Sequence, residues 1–321
     1  MLQPFDVTVC IVNWNGKELL RSLLPSLPSA GDGLRVEVVV VDNASSDGSA
    51  DFVEKEFPQV KLLRNNQNLG FAKAGNQAAA LARGRLLFFL NTDTIVGSAV
   101  LTTLARVLDE NSSMAAVGPR LIQADGRTQQ TNRQNPPRTG AFFHRIFLLR
   151  WTGLFRAAYR GYRRGAPAPE SNGPIAHLSG AALLVRRNQL TEAGGWDESF
   201  EFGLEDLDLS LRLRRFGELY YRADTPVQHR GGVSSRQNRG YAYYGHECGY
   251  ARFLGKYHGR WTARLYKLLV TADMPLRLAV LTSRLSLHRA LGRRDQALRS
   301  RALLGAACEF FFRRIGRYLR S

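Results

Sequence analysis

Four strand-then-helix units follow one another at the start of the chain, and they constrain its fold more than any other feature. Their apolar, strand-like runs are residues 7–12, 36–41, 60–64 and 86–90. The helical patterns that follow are residues 17–27, a helix ending at Phe57, and residues 72–83 and 98–110. The run 36–41 is nearly all β-branched, which is typical of a strand buried on both faces of a parallel sheet. We therefore predict an α/β fold with a mostly parallel sheet flanked by helices.

The second half of the chain is less regular. Residues 131–175 mix prolines with basic residues, which indicates a long insertion that we expect to order on contact with a surface. Residues 175–187 have strand character, 204–216 form an amphipathic helix and 218–221 a short strand. We predict one domain over 1–245, with halves at 1–125 and 176–245, and a basic helical extension over 246–321.

The formal net charge of +18 lies in two regions. Residues 131–175 carry +7 and residues 251–321 carry +13, whereas 1–130 and 176–250 each carry −1. Both basic regions interleave arginine with aromatic residues, which is typical of segments that bind an anionic membrane surface. An ordinary solvated basic face is the alternative. A nucleic-acid-binding protein would carry a basic stripe across its first domain, and because that domain is neutral we expect no nucleic acid partner.

Cysteine usage and hydropathy bear on location. The three cysteines, Cys10, Cys248 and Cys308, are far apart, which favours neither a disulfide framework nor a zinc cluster. The residues before the first strand do not have the pattern of a signal peptide, so we expect none, and no apolar run reaches the ~18–20 residues that a spanning helix needs. We expect a cytoplasmic protein attached peripherally to the inner face of the cell membrane.

Polar residues stand at the end of each predicted strand, where ligands bind in open parallel α/β sheets. They are Asn13 and Asn15, Asp42 and Asn43, residues 65–70, and Asn91 with Asp93. A lone Asp at such a place is often only a helix cap, but four such groups predict one crevice. The loop at Gly70 lacks the lysine of a phosphate-binding P-loop, and no GxGxxG follows the first strand. That loop is either a plain turn or a place for a phosphate or ribose.

Two further pairs of side chains are candidates for metal binding and for general-base catalysis. Asn91 and Asp93, two residues apart, suit a hard cation such as Mg²⁺ or Mn²⁺, which would neutralise a diphosphate leaving group. Only Asp93 is charged, so we expect weak metal binding until a nucleotide arrives. Glu205 and Asp206 begin the 204–216 helix, whose N-terminus favours the ionised carboxylate that a general base requires. Capping alone would also place acids there.

Eight motifs, in one order, resemble those of the family-2 inverting glycosyltransferases of the GT-A fold, and among these the bacterial rhamnosyltransferases. The match spans about residues 5–235. The motifs are residues 12–15, 41–48, 68–76, 90–93, 179–181, 195–198, 205–208 and 229–234. The predicted sheet would then be the Rossmann-type sheet of that fold.

The resemblance implies a role for each matching position. The nucleotide-sugar would be bound by Asn13, Asn15, Asp42, Asn68, Gly70, Phe71, Lys73, Asn76, Asn91 and Asp93. The metal would be held by Asp93 and His229, although a histidine there is also common as a structural residue. Asn91 replaces the first Asp of the usual DxD, which leaves the strength of metal dependence open. Asp206 would be the general base with Glu205 as second candidate, and Ser179, Gly180, Trp196 and Asp197 would shape the acceptor side.

These roles imply a metal-dependent, inverting hexosyltransferase. The pattern favours transfer of L-rhamnose from dTDP-rhamnose to a lipid-linked or cell-surface polysaccharide acceptor. A UDP- or GDP-sugar donor on the same fold is the alternative, and a basic nucleic-acid-binding protein is the alternative from another class. A catalytically silent sugar-nucleotide binder is disfavoured because Asp93 and the pair Glu205 and Asp206 are present.

Overall fold

The computed structural model describes residues 5–27, 33–133, 137–164 and 171–321. The chain forms two compact units. The first comprises Met1–Pro136, Gly165–Glu201 and Glu205–Val233, and the second comprises Pro137–Arg164, Phe202–Leu204 and Ser234–Ser321. Parts of the predicted insertion, residues 134–136 and 165–170, lie outside the described residues.

The first unit is built on a sheet of nine strands within the described residues. They are β1 (Val7–Asn13), β2 (Val36–Asp42), β3 (Lys61–Arg64), β4 (Leu86–Asn91), β5 (Thr94–Ile95), β6 (Met114–Ile122), β7 (Gly173–Ile175), β8 (Ala182–Arg186) and β9 (Glu218–His229). Their order is β3-β2-β1-β4-β8-β6-β9-β5, with β7 also paired to β9. Strands β1, β2, β3, β4, β6 and β9 run in one direction, and β5, β7 and β8 run against them. The prediction of a mostly parallel sheet is confirmed.

The helices in chain order are α1 (Lys17–Leu23), α2 (Ser49–Glu56), α3 (Phe71–Leu81), α4 (Ser98–Glu110), α5 (Thr139–Phe143), α6 (Phe147–Thr152), α7 (Arg156–Arg164), α8 (Arg187–Glu192), α9 (Glu205–Leu213), α10 (Val233–Gln237), α11 (Arg239–His258), α12 (Arg260–Ala290), α13 (Arg294–Glu309) and α14 (Ile315–Arg320). A short 3₁₀ turn, Leu24–Ser26, follows α1, and a π-helical turn, Phe310–Arg314, joins α13 to α14. The four predicted strand-then-helix units are all present.

Helices cover both faces of the sheet because successive strand residues point to opposite sides. On one face, Val9 and Ile11 of β1 pack with Leu101 and Leu104 of α4. On the other face, Cys10 of β1 belongs to a cluster with the alanines of α3 and with Trp196 and Leu209. Both clusters are fully buried, as expected for parallel strands that have no solvent face.

Two strands differ from the sequence prediction. Strand β6 was not predicted, because its residues include few β-branched side chains and contain Gly118 and Pro119. The predicted short strand at 218–221 is wrong in length: β9 continues to His229, past Pro226. The pairing of β6 with β9 shifts register between Pro119 and Arg120. A proline within a strand is tolerated at such an irregularity. Because proline is rare inside strands, Pro226 made the sequence pattern end the predicted strand too early.

The second unit is helical in its described residues, as predicted from residue 246 onward. A buried ion pair connects α11 to α12, because Nη1 of Arg277 lies 3.7 Å from Oε1 of Glu247. Within α12, Nη2 of Arg277 lies 3.3 Å from Oδ2 of Asp273. Asp273 also accepts hydrogen bonds from the backbone N–H groups of Phe147 and Leu148 at the start of α6. Across the described residues, no helix has both the length and the apolar character needed to cross a membrane.

Candidate active site

The first cluster of predicted site residues lies where β1 and β2 end side by side, with Asn13 opposite Asp42. Nδ2 of Asn13 donates to Oδ2 of Asp42 (2.8 Å) and to the hydroxyls of Ser45 (3.1 Å) and Ser49 (2.9 Å). The backbone N–H of Ser45 donates to the other carboxylate oxygen of Asp42 at 2.9 Å. Both side chains are buried. Asn13 therefore orients the Asp42 carboxylate rather than standing free in the crevice.

Asn43, one of the strand-end polar residues that the sequence places at the crevice, organises the loop before α3. Its Nδ2 donates to Oδ1 of Asn68 (3.1 Å) and to the carbonyl of Gly70 (3.1 Å), and its Oδ1 accepts from the Leu69 N–H (3.2 Å). Gly70 has φ +80°, and a Cβ there would lie 3.0 Å from the carbonyl oxygen of Glu201. Close backbone approach and the left-handed φ both require glycine at this position.

Asn15 ties the β1 loop to the loop after β2. Its Oδ1 accepts from the Ser46 N–H at 2.7 Å, and its own N–H donates to the Ser45 hydroxyl at 2.8 Å. The residue has φ +51°, a conformation that asparagine tolerates better than most residues. The polar ends of β1 and β2 and the loop from Asn65 to Gly70 thus form one hydrogen-bonded group, as the strand-end pattern predicts.

The start of α3 is fixed by Trp196. Asn76 accepts from the Trp196 N–H (2.8 Å) and donates to the Trp196 carbonyl (2.9 Å) and to Glu198 (2.9 Å). The Trp196 ring is buried and meets Phe71 edge-on at 5.0 Å between centroids. Lys73 is exposed on the same helix. Asn76 and Trp196 hold the scaffold in place, and Lys73 is the member of this group that faces solvent.

The second cluster joins Asp93 to His229. Nε2 of His229 lies 3.2 Å from Oδ1 of Asp93, and both side chains are buried. Strand β5 places them together, because Thr94 pairs with His229 across the sheet. The loop over Asp93 is closed by a hydrogen bond from the Arg230 N–H to the Asp93 carbonyl, 2.9 Å.

Gln129 is a residue of this cluster that the sequence prediction missed. Its Nε2 donates to the His229 carbonyl, which fixes the orientation of its amide, and its Oε1 lies 2.8 Å from Nδ1 of His229. Nδ1 therefore carries the proton, and in the neutral ring the lone pair of Nε2 points toward the Asp93 carboxylate. Nε2 has no hydrogen-bond partner in the described structure. A proton on Nε2 or a cation bound by both atoms relieves the repulsion between two acceptors.

Opposing effects set the pKa of Asp93. Burial raises the pKa of the carboxyl, but His229 with a proton on Nε2 and the backbone N–H groups at Asp93 and Val233 lower it more, so the pKa lies below its ordinary value. The ionised form is the one that a metal binds. The described residues contain no group of three or more Asp, Glu, His or Cys side chains placed to hold a metal. Asp93 and His229 fit a cation that takes its remaining ligands from a substrate.

The turn at 179–181 joins the Asn91 strand end to Asp206. The Asn91 N–H donates to the Ala181 carbonyl at 3.0 Å, and the Gly180 N–H donates to Oδ2 of Asp206 at 3.2 Å. Ser179 is held in turn by Asn132, whose Oδ1 accepts from the Ser179 N–H at 2.8 Å. Consecutive residues of one turn thus contact the motif of Asn91 and the carboxylate predicted to be the general base.

Asp206 is paired with a histidine that the sequence prediction did not select. Nε2 of His177 lies 3.3 Å from Oδ1 of Asp206. Burial raises the pKa of Asp206, but His177 and the N–H groups of Gly180 and Leu207 lower it more, so its pKa lies below the ordinary value. Nothing in the motif pattern marks His177, which lies just before the turn at 179–181.

Two other predicted site residues have local structural contacts. Oδ1 of Asp197 accepts from the Ser199 N–H at 3.0 Å, which is a turn-forming contact. Glu205 is partly buried and is the first residue of α9, immediately before Asp206. Gly203 and Leu204, just ahead of it, both have positive φ, and for leucine this is a strained conformation of the kind found at functional sites.

Residues 8–167 match the family model described as "Glycosyl transferase family 2". The chain belongs to this family. It is therefore a glycosyltransferase, and its sheet with flanking helices is a GT-A fold, followed by a helical C-terminal extension. The predicted family and fold are confirmed.

Similar proteins include one curated sequence and three solved structures. The chain is 27% identical over 272 residues, or 80% of its length and 87% of the relative, to the N-acetylglucosaminyl-diphospho-decaprenol L-rhamnosyltransferase of Mycobacterium tuberculosis. It aligns with the mannosyltransferase PcManGT of Pyrobaculum calidifontis, in complex with GDP-Man and Mn²⁺, at TM-score 0.53 and 16% identity, covering 97% of this chain and 88% of that one. With S. aureus TarS 1–349 bound to UDP-GlcNAc the TM-score is 0.53 at 17% identity, over 98% and 84% of the chains. Against the longer TarS chain it spans 43% of that protein's length.

Proposed function

We propose that the protein is a metal-dependent, inverting rhamnosyltransferase that transfers L-rhamnose from dTDP-rhamnose to a lipid-linked or cell-surface polysaccharide acceptor. The observation that carries the proposal is the turn at 179–181, because it contacts both the strand end at Asn91 and the carboxylate of Asp206. The M. tuberculosis relative supports rhamnose as the sugar and a lipid-linked diphosphate sugar as the acceptor.

The donor is assigned to the strand-end groups of the first unit. Asp42, oriented by Asn13, would accept hydrogen bonds from the base, with Asn15 nearby. The loop ordered by Asn43, from Asn68 to Gly70, with Phe71, Lys73 and Asn76 after it, would lie along the ribose and diphosphate. The first N–H groups of a helix lack intrahelical partners, so the N-terminus of α3 suits a phosphate there.

Asp206 would act as the general base. Because its pKa is held below the ordinary value, the carboxylate is ionised at neutral pH and can take the proton of an acceptor hydroxyl. The acceptor oxygen then bonds to the anomeric carbon as the bond from that carbon to the diphosphate breaks. Attack from the face opposite the leaving group inverts the anomeric centre in one displacement. Ser179, Gly180, Trp196 and Asp197 would shape the acceptor side, and Glu205 is the second candidate for the base.

Asp93 and His229 would hold the cation. Their facing lone pairs and the His229 tautomer set by Gln129 fit a hard divalent ion, whether Mg²⁺ or Mn²⁺. When bound, such an ion supplies positive charge against the departing nucleoside diphosphate. Asn91, in place of a second carboxylate, leaves the two-residue site with a single negative charge, so it should fill together with the donor.

A second candidate keeps the reaction and changes the donor to a UDP- or GDP-sugar. The solved structures of PcManGT and TarS 1–349, which share the fold, contain GDP-Man and UDP-GlcNAc. The acceptor of a lipid-linked transfer lies in a membrane, so we further propose a cytoplasmic enzyme held on the inner face of the cell membrane by its basic segments.

A transfer assay separates these readings. The purified chain is incubated with a polyprenyl-diphosphate GlcNAc acceptor and, in turn, dTDP-rhamnose, UDP-GlcNAc or GDP-mannose, with Mn²⁺, with Mg²⁺ or with EDTA. We expect a rhamnosylated product by mass spectrometry, with the inverted anomer by NMR and no product in EDTA. Transfer from UDP- or GDP-sugar alone would favour the second candidate. A retained anomer would contradict the mechanism, and metal-independent transfer would contradict the role given to Asp93 and His229.

A further inference from the structure

A cavity in the second unit is lined by arginines that have no acidic partner among the described residues. It measures about 420 Å³, and its walls are His144, Arg150, Trp151, Arg156, Tyr159 and Arg160. Arg156 and Arg160 lie one turn apart on α7, and Arg150 lies on α6. None of the three forms an ion pair with a carboxylate in the described part of the chain. Three unpaired guanidinium groups around one cavity favour an anion.

The two buried acidic residues of this unit do not neutralise the cavity, and Glu309 is paired with Arg314 at 2.6 Å. Asp273 and Glu247 are buried, and both are within ion-pair distance of Arg277. Asp273 also accepts two backbone hydrogen bonds from the start of α6, and Glu247 accepts from the hydroxyl of Tyr266 at 2.9 Å. Their charges are therefore already engaged by groups outside the arginine trio.

A buried histidine adds a polar atom that lacks a partner. His144 is 7% exposed, and its Nδ1 has no hydrogen-bond partner in the described structure. The ring rests against Tyr159, with 4.6 Å between centroids. Burial and the charges of Arg150, Arg156 and Arg160 lower the pKa of His144. An anion in the cavity would relieve the repulsion among these groups.

The arginine cavity adjoins a second cavity of mixed lining. His144, Arg150 and Tyr159 also line this cavity of about 270 Å³, whose other walls are Arg145, Arg277, Arg284 and Tyr243 together with the apolar side chains of Phe147, Val280, Leu281 and Leu303. Next to it, three large apolar side chains are exposed: Leu148 (44%), Trp151 (63%) and Leu154 (69%). A cluster of arginines beside exposed aromatic and aliphatic side chains matches the chemistry of an anionic lipid at a membrane surface.

We infer that Arg150, Arg156, Arg160 and His144 form a binding site for the phosphate headgroup of a membrane lipid, with the exposed side chains of Leu148, Trp151 and Leu154 entering the apolar boundary of the membrane beside it. The site lies within the second unit and uses none of the residues assigned to the transferase reaction. It deepens the proposed membrane attachment, which rests on the proposed function, by naming the headgroup that is recognised.

Vesicle binding tests the inference with the full-length chain. Phosphatidylcholine vesicles carry either a lipid with a phosphate monoester headgroup or, at equal surface charge, an anionic lipid without phosphate. The pocket variant is Arg150→Gln/Arg156→Gln/Arg160→Gln. Arg293→Gln/Arg294→Gln/Arg299→Gln is the matched control, because it removes the same charge from exposed positions of α13 and the residue before it. The unmodified chain should prefer the phosphate vesicles.

We expect the pocket variant to lose that preference, with an affinity for phosphate vesicles about a hundredfold lower, since each basic residue near the surface contributes ~1 kcal/mol. The control variant should keep the preference. Equal losses of vesicle affinity in both variants, or no preference for phosphate in the unmodified chain, would mean that the cavity acts only as part of a general basic surface. Either result would overturn the inference.

Free inorganic diphosphate and a paired apolar variant identify the source of the phosphate. Leu148→Ser/Leu154→Ser should weaken vesicle binding while leaving binding of free diphosphate unchanged. Diphosphate binding that the pocket variant abolishes, without any vesicle binding, would mean a soluble ligand and would contradict the lipid assignment. Thermal stabilisation by nucleotide should be unchanged in the pocket variant, so a failure here is distinct from a failure of the proposed transferase.

Discussion

Asp206 is held by groups that favour its charged form, and this makes its removal informative. Asp206→Asn keeps the size of the side chain and its ability to accept from the Gly180 N–H, but it removes the base. We expect kcat to fall by about 10²–10⁴-fold, with nucleotide affinity unchanged in a calorimetric titration. Glu205→Gln is the control, and it should remain active. The opposite pattern, in which Glu205→Gln is inactive and Asp206→Asn is active, would assign the role of general base to Glu205.

The lowered pKa of Asp206 also predicts a pH profile. A carboxyl whose pKa is lower in the folded chain contributes stability above its unfolded pKa and loses it as the pH falls through the folded pKa. Burial opposes this lowering of the pKa and His177 causes it. The loss of folding stability should therefore occur below pH 3.8, the ordinary pKa of the carboxyl. The rate profile of kcat/KM should therefore show no acid limb from Asp206 between about pH 5 and 8. An acid limb of kcat/KM between about pH 5 and 8 that disappears in Asp206→Asn would contradict the lowered pKa of Asp206.

Gln129 is expected to act on the metal through His229. Gln129→Leu removes the acceptor that fixes the Nδ1 proton, so the Nε2 lone pair is no longer held toward Asp93. Such outer contacts are typically worth 10–100-fold in metal affinity. We expect the Mn²⁺ concentration for half-maximal activity to rise by about that factor, while kcat at saturating Mn²⁺ changes less.

Two variants check that interpretation of Gln129. Gln129→Glu keeps an acceptor beside Nδ1 but loses the donor to the His229 carbonyl, so it should restore part of the metal affinity. Gln130→Leu, at the exposed neighbouring position, should leave it unchanged. A loss of kcat in Gln129→Leu that no Mn²⁺ concentration recovers would indicate a purely structural role.

At the scale of elements, α3 shows how packing can oppose helix propensity. A Cβ on Gly75 would lie 3.1 Å from Cδ1 of Trp196, and that ring is held edge-on between Phe71 and Phe89. Gly305, in the middle of α13, has nothing within 4 Å of the same position. Gly305→Ala should stabilise by about 0.5–1 kcal/mol, because alanine is the better helix former. Gly75→Ala should instead destabilise by about 1–3 kcal/mol through overpacking.

Urea unfolding measures both glycine variants. Stabilisation by Gly75→Ala equal to that of Gly305→Ala would mean that Trp196 moves freely, which its burial and its hydrogen bonds to Asn76 contradict. If that outcome were observed, Gly75→Ala should also leave the orientation of α3 and the nucleotide affinity unchanged.

The elements that could be predicted are those whose residues interact locally. The first four strand-then-helix units are specified by periodicity and by polar turns within some twenty residues, and α4 has the predicted bounds. Strand β6 and the second half of β9 depend on pairing with each other across the sheet, and their prolines conceal it. The same division holds in the site: Asp42 and Asp93 stand at strand ends, whereas Gln129 meets His229 across 100 residues of sequence. His177 likewise meets Asp206 only after the fold has formed.

For the whole molecule, the residues assigned to the donor all belong to the first unit, whereas the excess positive charge lies mostly outside it. A nucleotide that binds only the native state should therefore raise the unfolding temperature by mass action on that unit. At a hundredfold excess over Kd, the gain of ~2.7 kcal/mol corresponds to about 5–10 °C for a unit of this size. We expect this shift with dTDP and Mn²⁺ or Mg²⁺, and a much smaller one with dTDP in EDTA.

A panel of dTDP, UDP and GDP, each with and without metal, turns that shift into a donor assignment. Because Asp93 and His229 offer only two ligands, metal alone should shift the transition little, and the two together should shift it more than the sum of their separate effects. Additive shifts of the unfolding temperature would mean that metal and nucleotide bind independently, at separate sites. A shift with UDP or GDP in place of dTDP would keep the family and change the donor. Salt-sensitive binding of DNA or RNA with no nucleotide shift would contradict a sugar-nucleotide site at the carboxyl ends of the parallel strands.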